Sequence, residues 1–575
     1  MNNTYKWWLK IITFVIFLIM ATVKKLLFIY FFLFSVLLSA QNRAQSKYEY
    51  RAVWLTAIEN LDWPKTLVRH PGDTLVQQRE LVALLDSLQS LNVNTVLLQT
   101  RVRGDVVYPS AIEPFSHVFT GVEGRSPGYD PLAFAINECH KRGMQLHAWV
   151  VTFPLGKNEH IKRMGGLSLV RKKPALCTPF QGSWYMEPGN PETADYLCRL
   201  VTEIVSRYDV DGLHLDYIRY PDRTKGYPDS KLYKARGKGL SLAGWRRNNV
   251  TATARRIYKT VKDIKPWVRV SCAPLGKYAD LTTYSSYGWN ARDAVFQEAQ
   301  EWMREGIMDI LFPMLYFKGN NFYPFVRDWQ ENAHGRHVVP GIGVYRLLPE
   351  YGGWAPVEVM RQLNTSRSAE TAGSALFRTE HLVGDSVAAA IYKSVYGGKA
   401  LVPPLDWVNE PLLPAPSLLS VRCERDTFEL SWLPVEGSKK YPAVKYNVYA
   451  VLGDSVDVEN IDNLLCAGVE DTAFVWPCLT KKAVSIAVVA VDAYGREGQP
   501  AFWHRPSNGE PLCEISLPSA DTWGMRLEVC DMYGRRLFMG RYSTRLIVRN
   551  LPAGYYLLRV YARDGKVLWS RYFKR

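Results

Sequence analysis

The segment from Arg51 to Pro403 alternates apolar, strand-like runs with amphipathic, helix-like runs, and the alternation repeats eight times. The strand-like runs are 51–58, 94–102, 145–153, 211–218, 269–274, 309–317, 338–346 and 373–380. The helix-like runs are 78–91, 131–142, 192–208, 242–265, 291–305, 323–332, 356–364 and 386–396. Such repeats form right-handed βαβ units, and eight of them fit a (β/α)₈ barrel. An open doubly wound sheet is the alternative, but it usually has a Gly-rich turn where this chain reads ENLDWP.

Acidic residues follow four of the eight predicted strands. In a barrel the C-terminal ends of the strands meet at one mouth, so ionisable groups there are candidates for chemistry. The fourth strand, in DVDGLHLDYIRYP, has Asp216 near its C-terminal end, and strands one, two and eight lead to Glu59, Asp105 and Glu380. Opposed carboxylates are what glycoside hydrolysis needs, since one protonates the leaving oxygen and the other is nucleophile or base. The catalytic candidates are therefore Asp216 with Glu59, Asp105 or Glu380, although an ion pair with a nearby arginine is an equal alternative for Asp105.

Basic and aromatic side chains share the predicted strand ends with these acids, where they could orient or stack on sugar rings. The substrate-binding candidates are Arg101, Arg103, His147, Trp149, His214, Arg219, Trp289 and Tyr316. A metal set drawn from His147, His214, Asp216 and His381 is the alternative, but the chain has no HExxH motif and no HxH pair on its first strand. We predict no metal and no cofactor.

The sequence pattern changes after Leu412, where short β-type runs without helical periodicity begin. Their spacing predicts two small β-sandwich domains after the barrel domain of residues 48–411. Residues 412–507 resemble a fibronectin type III domain, and residues 508–575 resemble the C-terminal sorting domain of type IX secretion in Bacteroidetes. The second resemblance implies passage across the outer membrane, while a terminal β-sandwich without a sorting role is the alternative.

The N-terminus predicts export. Two apolar runs, 9–23 and 26–40, are separated by Lys24 and Lys25, and each is shorter than the ~20 residues that span a bilayer. The second run has the layout of a secretory signal, so residues 1–40 are predicted to be a signal peptide, with a membrane anchor as the alternative. The expected location is the periplasm, the cell surface or the medium, with the general secretion and type IX machineries as partners. The net charge of +16 is scattered and accompanies no nucleic-acid motif, so no nucleic-acid partner is predicted.

Five motifs carry a family resemblance. They are RAVWLTAIENLDWP, QTRVRGDVVYPS, HAWVVTFP, DGLHLDYIRYP and FPMLYF. In this order they resemble the family 10 glycosylhydrolase-like proteins of bacteria. The resemblance implies a (β/α)₈ barrel and an exported glycosidase that cleaves a cell-envelope or extracellular glycan. One branch of that family cleaves peptidoglycan strands without stem peptides, but it is lipid-anchored through a cysteine that is absent here.

The GLHLD run also resembles the fourth-strand nucleophile motif of the alpha-amylase superfamily, with His214 where arginine is usual. This resemblance implies that Asp216 is the nucleophile, and it leaves the general acid unassigned. The function predicted from the sequence is therefore an exported glycoside hydrolase. A non-catalytic glycan-binding or envelope scaffold protein on a hydrolase-like barrel is the alternative, and the oligomeric state stays open.

Overall fold

The computed structural model describes residues 46–574, except residues 223, 418, 425–426, 438–443, 479–482, 506–512, 517–524, 532–534, 542–544, 549–554 and 563. The predicted signal peptide or membrane segment, residues 1–40, lies outside the described residues. Within the described part of the chain, no helix is long and apolar enough to cross a membrane.

Eight parallel strands form a closed barrel. They are β1 Tyr50–Leu55, β2 Thr95–Arg101, β3 Gln145–Val151, β4 Gly212–Asp216, β5 Arg269–Cys272, β6 Ile310–Leu311, β7 in the two pieces His337–Val338 and Gly341–Ile342, and β8 Gly373–Leu376. The first piece of β7 pairs with β6 and its second piece pairs with β8, while β8 pairs with β1. Because the ends of the sheet meet in β7, the predicted (β/α)₈ barrel is confirmed.

Helices follow the strands in the predicted order. They are α1 Asp73–Ser90, α2 Pro131–Lys141, α3 Pro191–Arg207, α4 Leu242–Ile264, α5 Ala299–Arg304, α6 Tyr323–Glu331, α7 Pro356–Ser368 and α8 Ser386–Val395. In α3 the side chain of Asn190 caps the N-terminus and Pro191 occupies the first turn. The buried residues of α3 include Leu197, Leu200, Val201 and Ile204, whose spacing defines one helical face. This face packs in the hydrophobic core between the sheet and the helices.

Two predicted elements are shorter or broken in the structure. The predicted helix 291–305 consists of Ala291–Ala294 and α5, separated at Phe296, whose φ of 62° lies in the left-handed region. The predicted strands 309–317 and 338–346 pair only briefly. They contain Pro313 and Pro340, which lack the N–H that a continuous ladder requires.

The interior of the barrel is filled by aromatic and aliphatic side chains. The inward-facing cluster consists of Tyr50, Ala52, Trp54, Leu97, Trp149, Ile310, Phe312, Val339 and Ala375. Since successive strand residues point to opposite faces, the alternate residues pack outward against the helices. The barrel centre is therefore a packed core, and open space begins only above it, at the C-terminal ends of the strands.

A small antiparallel sheet is inserted after β3. Its strands are Pro154–Lys157, Cys177–Phe180 and Ser183–Met186, and the third lies between the other two. A short helix, Asn158–Met164, follows the first of them. The strand count from the sequence did not include this insertion. It stands at the C-terminal side of the barrel, where it becomes one wall of a cavity.

In the described part of the chain after the barrel, β-strands predominate, as predicted. A three-stranded sheet, Ser420–Glu424, Thr427–Ser431 and Ala473–Pro477, shares one core with a four-stranded sheet, Lys445–Val451, Leu464–Val469, Val484–Val491 and Glu497–Arg505. Further along are the pair Cys513–Ser516 and Arg545–Val548, and the four-stranded sheet Arg526–Asp531, Arg536–Arg541, Tyr555–Tyr561 and Val567–Lys574. The fibronectin type III and sorting roles of these domains stay predictions.

The pairing of β8 with β1 depends on Gly373. Its φ is 141°, and a β-carbon there would lie 2.1 Å from the carbonyl oxygen of Tyr50. Because the clash is with backbone, no rotamer change relieves it. We expect Gly373→Ala to lower the free energy of unfolding of the barrel by about 3 kcal/mol.

Urea unfolding followed by tryptophan fluorescence measures this change. The control is Gly72→Ala, since Gly72 has a φ of −71° and an added β-carbon meets nothing within 4 Å. Equal unfolding midpoints for the two variants would contradict the role given to Gly373.

Candidate functional site

Asp216 is held at the mouth by its own strand and by β3. Strand alternation turns Gly212, His214 and Asp216 inward, and Asp216 is paired in register with Val151. The carboxyl is only 5% exposed. Trp149 Nε1 donates to Asp216 Oδ2 at 3.1 Å, and the backbone N–H of Tyr217 donates to Oδ1 at 2.7 Å. Each carboxyl oxygen therefore accepts one hydrogen bond, and together the two bonds fix the orientation of the carboxyl group.

Burial and nearby charges act in opposite directions on the pKa of the Asp216 carboxyl. Burial raises the pKa of this carboxyl, while the charges of Arg219 and Arg103 and the hydrogen bond from Tyr217 lower it, and the net shift is upward. Burial also raises the pKa of the neighbouring Tyr316 well above its ordinary value, and the charge of Asp216 adds to that shift. A buried carboxyl with a raised pKa is a candidate for proton transfer.

Below Asp216 lie two neutral histidines. His214 is completely buried, and burial lowers its pKa far below the ordinary range. Its Nε2 accepts from Trp54 Nε1 at 3.1 Å, so the proton is on Nδ1, which donates to Ser271 Oγ at 3.0 Å. His147 is deeper still, in register with Gly212, and burial lowers its pKa to about 3. The structure thus places both predicted substrate-binding histidines beneath the mouth, where they support the interior.

A cavity of about 240 Å³ is lined by Tyr217, which follows Asp216 in the chain, whereas Asp216 itself is not among the lining residues. Its residues are aromatic or charged: Arg103, Lys157, Trp184, Tyr185, Tyr217, Arg219, Tyr220 and Asp222, with Pro154, Gly156, Ser183 and Pro221 between them. Flat rings can stack on sugar faces, and the cations can pair with carboxylates on a glycan. The cavity therefore has the composition of a site for a charged saccharide.

Arg103, Tyr217 and Arg219 form the side of the cavity nearest to Asp216. The guanidinium of Arg219 lies 4.5 Å from the Tyr217 ring centroid, and that of Arg103 lies 5.5 Å away. Tyr217 has a φ of 50°, which is uncommon for a residue with a side chain. This turn directly after β4 sends the Tyr217 ring between the two arginines. Arg219 also forms an ion pair with Asp222.

Arg101 does not reach the cavity. Its side chain is fully buried, and Nε and Nη2 each donate to Glu113 at 2.7 Å. Nη1 donates to the carbonyl oxygens of Val151 and Thr152, which end β3. All its donors are therefore used inside the protein. Positioning of the β3 end, rather than contact with substrate, is the role that this placement supports.

The three acids predicted as partners of Asp216 are, like Asp216 itself, not among the residues that line the cavity. Glu59 is exposed on the turn Ile58–Asn60. Glu380 is held by Arg378 and Lys65; burial alone would raise its pKa, but the hydrogen bonds from these two cations bring it below the ordinary value. Asp105 is completely buried and accepts from the Arg103 backbone N–H at 2.7 Å. For each of the three, the role of second catalytic acid therefore stays a prediction.

Asp222 is the carboxylate that the sequence reasoning missed. It lines the cavity and follows β4 within the same run, one residue beyond the quoted motif DGLHLDYIRYP. Lys157 and Tyr185 were also missed, because they come from the inserted sheet. Its short strands have no periodic signal of their own, so only their antiparallel pairing brings these side chains to the mouth.

The three aromatic residues predicted to contact substrate differ in how deeply they are buried. Trp149 is 4% exposed and serves as the hydrogen-bond donor to Asp216. Tyr316 is half-buried, and its ring packs against Trp54 and Phe377. Trp289 is 48% exposed in the loop after β5. Of the three, Trp289 presents the most surface to a ligand.

The metal set considered from the sequence is dispersed. His147 and His214 occupy different layers of the barrel interior, and His381 lies on the short helix Thr379–Val383. A different group, His117, Glu123 and His160, brings three ligand atoms within 4.8 Å of one another. None of these three residues lines the cavity.

The family model of glycosyl hydrolase-like 10 matches residues 49–343, which run from β1 through β7. The chain belongs to this family. It is 32% identical over 399 residues to the glycosyl hydrolase YngK of Bacillus subtilis (strain 168), covering 66% of this chain and 78% of that protein. It is 30% identical over 372 residues to the glycosyl hydrolase DigH of Escherichia coli (strain K12), covering 59% of this chain and 84% of that protein.

Among solved structures, the chain is similar to the PgaB (BpsB) glycoside hydrolase domain from Bordetella bronchiseptica. The TM-score is 0.43 at 14% sequence identity, and the alignment covers 62% of this chain and 100% of that domain. Membership of the glycosyl hydrolase-like 10 family agrees with the five motifs, all of which fall inside the matched segment.

The buried pair of Arg101 and Glu113 gives a prediction about stability. Replacing Arg101 by Met leaves the Glu113 charge buried without its partner, so we expect the free energy of unfolding to fall by about 3–5 kcal/mol. The double variant R101M/E113Q removes that charge and should recover part of the loss. Urea unfolding of the wild type and the two variants measures this. If R101M unfolds like the wild type but binds glycan more weakly, Arg101 is a binding residue instead.

Proposed function

We propose that this member of the glycosyl hydrolase-like 10 family is an exported glycoside hydrolase that cleaves O-glycosidic bonds of a bacterial cell-envelope glycan, and that Asp216 acts directly on the bond. The observation that carries the proposal is the buried Asp216 carboxyl, whose pKa is raised and whose neighbours Tyr217, Arg103 and Arg219 line a cavity of aromatic rings and cations. A site that excludes water around one carboxyl is what acid catalysis of glycoside cleavage needs.

The raised pKa suits Asp216 to the role of proton donor. A carboxyl that stays protonated to higher pH can pass its proton to the leaving oxygen, whereas a nucleophile or base must be ionised. This assignment differs from the nucleophile role that the alpha-amylase resemblance implies. Asp222, which lines the cavity and is paired with Arg219, is then the candidate nucleophile or base.

The substrate class follows from the charge of the cavity. Arg103, Lys157 and Arg219 give it a cationic wall, and Trp184 and Tyr185 add flat surfaces. A glycan with carboxylate groups, such as a peptidoglycan strand without stem peptides, fits this combination. Export by residues 1–40 would bring the protein to such a polymer, and a fibronectin type III-like domain at 412–507 and a sorting domain at 508–575 would fit that location.

A non-catalytic glycan-binding protein is the second candidate. It is favoured by the ion pair between Asp222 and Arg219, because a carboxylate held by an arginine is less free to attack or to activate water. The same cavity would then hold a glycan without cleaving it. Incubation of the purified protein with denuded peptidoglycan separates the two functions, since an enzyme creates new reducing ends and a scaffold only retains polymer.

Replacing Asp216 by Asn removes the acidic proton while keeping the size of the side chain. We expect release of reducing ends from denuded peptidoglycan to fall by about 10²–10⁴-fold, which is the usual contribution of a general acid or base. Binding of the polymer and the circular dichroism spectrum should stay the same. Asp195→Asn, an exposed site on α3, is the matched control and should turn over normally. Turnover of D216N at the wild-type rate would refute the proposal.

The pH dependence distinguishes the two roles of Asp216. If Asp216 is the proton donor, kcat/KM falls as the pH rises through its raised pKa; if it is the nucleophile, kcat/KM falls as the pH drops through that pKa. Arg219 lowers the pKa of Asp216, so Arg219→Gln should move this limb to higher pH in either case. Arg327→Gln, on the exposed side of α6, is the control and should leave the limb in place. A limb that does not move in R219Q belongs to another group.

A further inference from the structure

His117, Glu123 and His160 form a cluster that joins two loops of the barrel. His117 and Glu123 lie in the loop between β2 and α2, and His160 lies on the short helix Asn158–Met164 of the insertion after β3. Both histidines turn Nδ1 toward the same carboxylate oxygen. The distance to Glu123 Oε1 is 3.1 Å from His117 Nδ1 and 3.6 Å from His160 Nδ1.

Two polar atoms of the cluster are buried without a hydrogen bond, namely His117 Nδ1 and Glu123 Oε2. The Glu123 side chain is only 6% exposed. Leaving such atoms unsatisfied costs about 1–3 kcal/mol each. His117 Nδ1 and Glu123 Oε1 are close but not aligned as donor and acceptor. Their spacing is near the ~3.3 Å that separates two ligand atoms on a tetrahedral ion with bonds of ~2.0–2.1 Å.

A hydrogen bond to the backbone fixes the orientation of the His160 ring. Its Nε2 lies 3.2 Å from the carbonyl oxygen of Arg103, so Nε2 carries the proton and donates it. The lone pair is therefore on Nδ1, on the side of Glu123. A backbone carbonyl that fixes the tautomer of a histidine in this way is the usual support of a metal-binding imidazole.

The guanidinium of Arg163 donates to both Glu123 and His160. Arg163 Nε lies 2.9 Å from Glu123 Oε1, and Arg163 Nη2 lies 2.9 Å from His160 Nδ1. The Arg163 side chain is 48% exposed, in contrast to the buried atoms that it contacts. Its guanidinium can withdraw into solvent when a smaller and more highly charged cation competes for the same atoms.

We propose that His117 Nδ1, the Glu123 carboxylate and His160 Nδ1 bind a divalent transition-metal ion of the zinc class, and that Arg163 is the competing internal cation. Two imidazoles and one carboxylate are a common protein ligand set for Zn²⁺. The site is distinct from Asp216, and none of its ligands lines the cavity.

Metal binding at this site would stiffen the wall of the cavity. The His160 ring lies against Gly156, where an added β-carbon would be 2.7 Å from the ring, and His160 contacts the Arg103 carbonyl. Gly156 and Arg103 both line the cavity. An ion that ties His160 to the β2 loop therefore fixes the positions of both, and the role is structural.

Calorimetric titration of the chelator-treated full chain with Zn²⁺ tests the proposal. We expect one ion per chain, with affinity at least about tenfold lower in His117→Ala, because a ligand is lost. Arg163→Gln removes the competitor while the three ligands stay, so it should bind Zn²⁺ about tenfold more tightly than the wild type. His70→Ala, an exposed histidine outside the cluster, is the control and should bind like the wild type.

We expect the Zn²⁺ affinity to fall in H117A and to rise in R163Q. A folding defect in one variant therefore cannot produce both results. If H117A does not fold, as judged by circular dichroism, R163Q alone decides: tighter binding supports the site, and unchanged or weaker binding overturns it. The proposal is also overturned if neither the wild type nor R163Q binds Zn²⁺, or if a folded H117A binds it as tightly as the wild type.

Discussion

The closure of the sheet through β7 is the constraint on which the rest of the structure depends. One short segment pairs with β6 before Pro340 and with β8 after it, so the eight strands have no free edge. Closure turns the inner face of every strand toward a common axis. The polar ends of distant strands then meet at one mouth, and the middle of each strand is sealed in a dry interior.

Depth in that interior decides the chemistry of the inward row of polar residues. His147, His214 and Asp216 stand at successive levels, and burial changes the pKa of each toward its neutral form. The histidines are neutral hydrogen-bonding groups of the core. Asp216, at the top, directly precedes Tyr217, which lines the cavity.

Arg101 and Arg103, two residues apart at the end of β2, have different roles in the structure. Arg101 is the last residue of β2, turns inward and is held by Glu113 beneath the mouth. Arg103 is beyond the strand and lies on the cavity wall against Tyr217. The carbonyl of Arg103 also contacts His160, so the proposed metal site and the cavity share this loop. We therefore expect a structural change at the proposed metal site to alter the cavity, and a change in the cavity to alter the metal site.

The order of strands and helices could be predicted because hydrophobic periodicity is a local property, and each run needs only its neighbours to show a strand or a helix. The place of Asp216 followed from the same count, since strand ends converge in any barrel. The identity of the acids near Asp216 could not be predicted in this way. Glu59, Asp105 and Glu380 lie a few residues beyond the ends of β1, β2 and β8. Glu59 is exposed, Asp105 is buried and Glu380 is paired with Arg378, and none of the three lines the cavity.

The sequence by itself determined the barrel, its eight repeats and the inward face of β4, because these depend on alternation along the chain. Only the tertiary structure decided that the inserted sheet supplies Lys157 and Tyr185, that Asp222 lines the cavity, and that Arg101 does not. The physical reason is that side-chain contacts between loops depend on packing and on paired charges across long separations. No local period in the chain encodes such contacts.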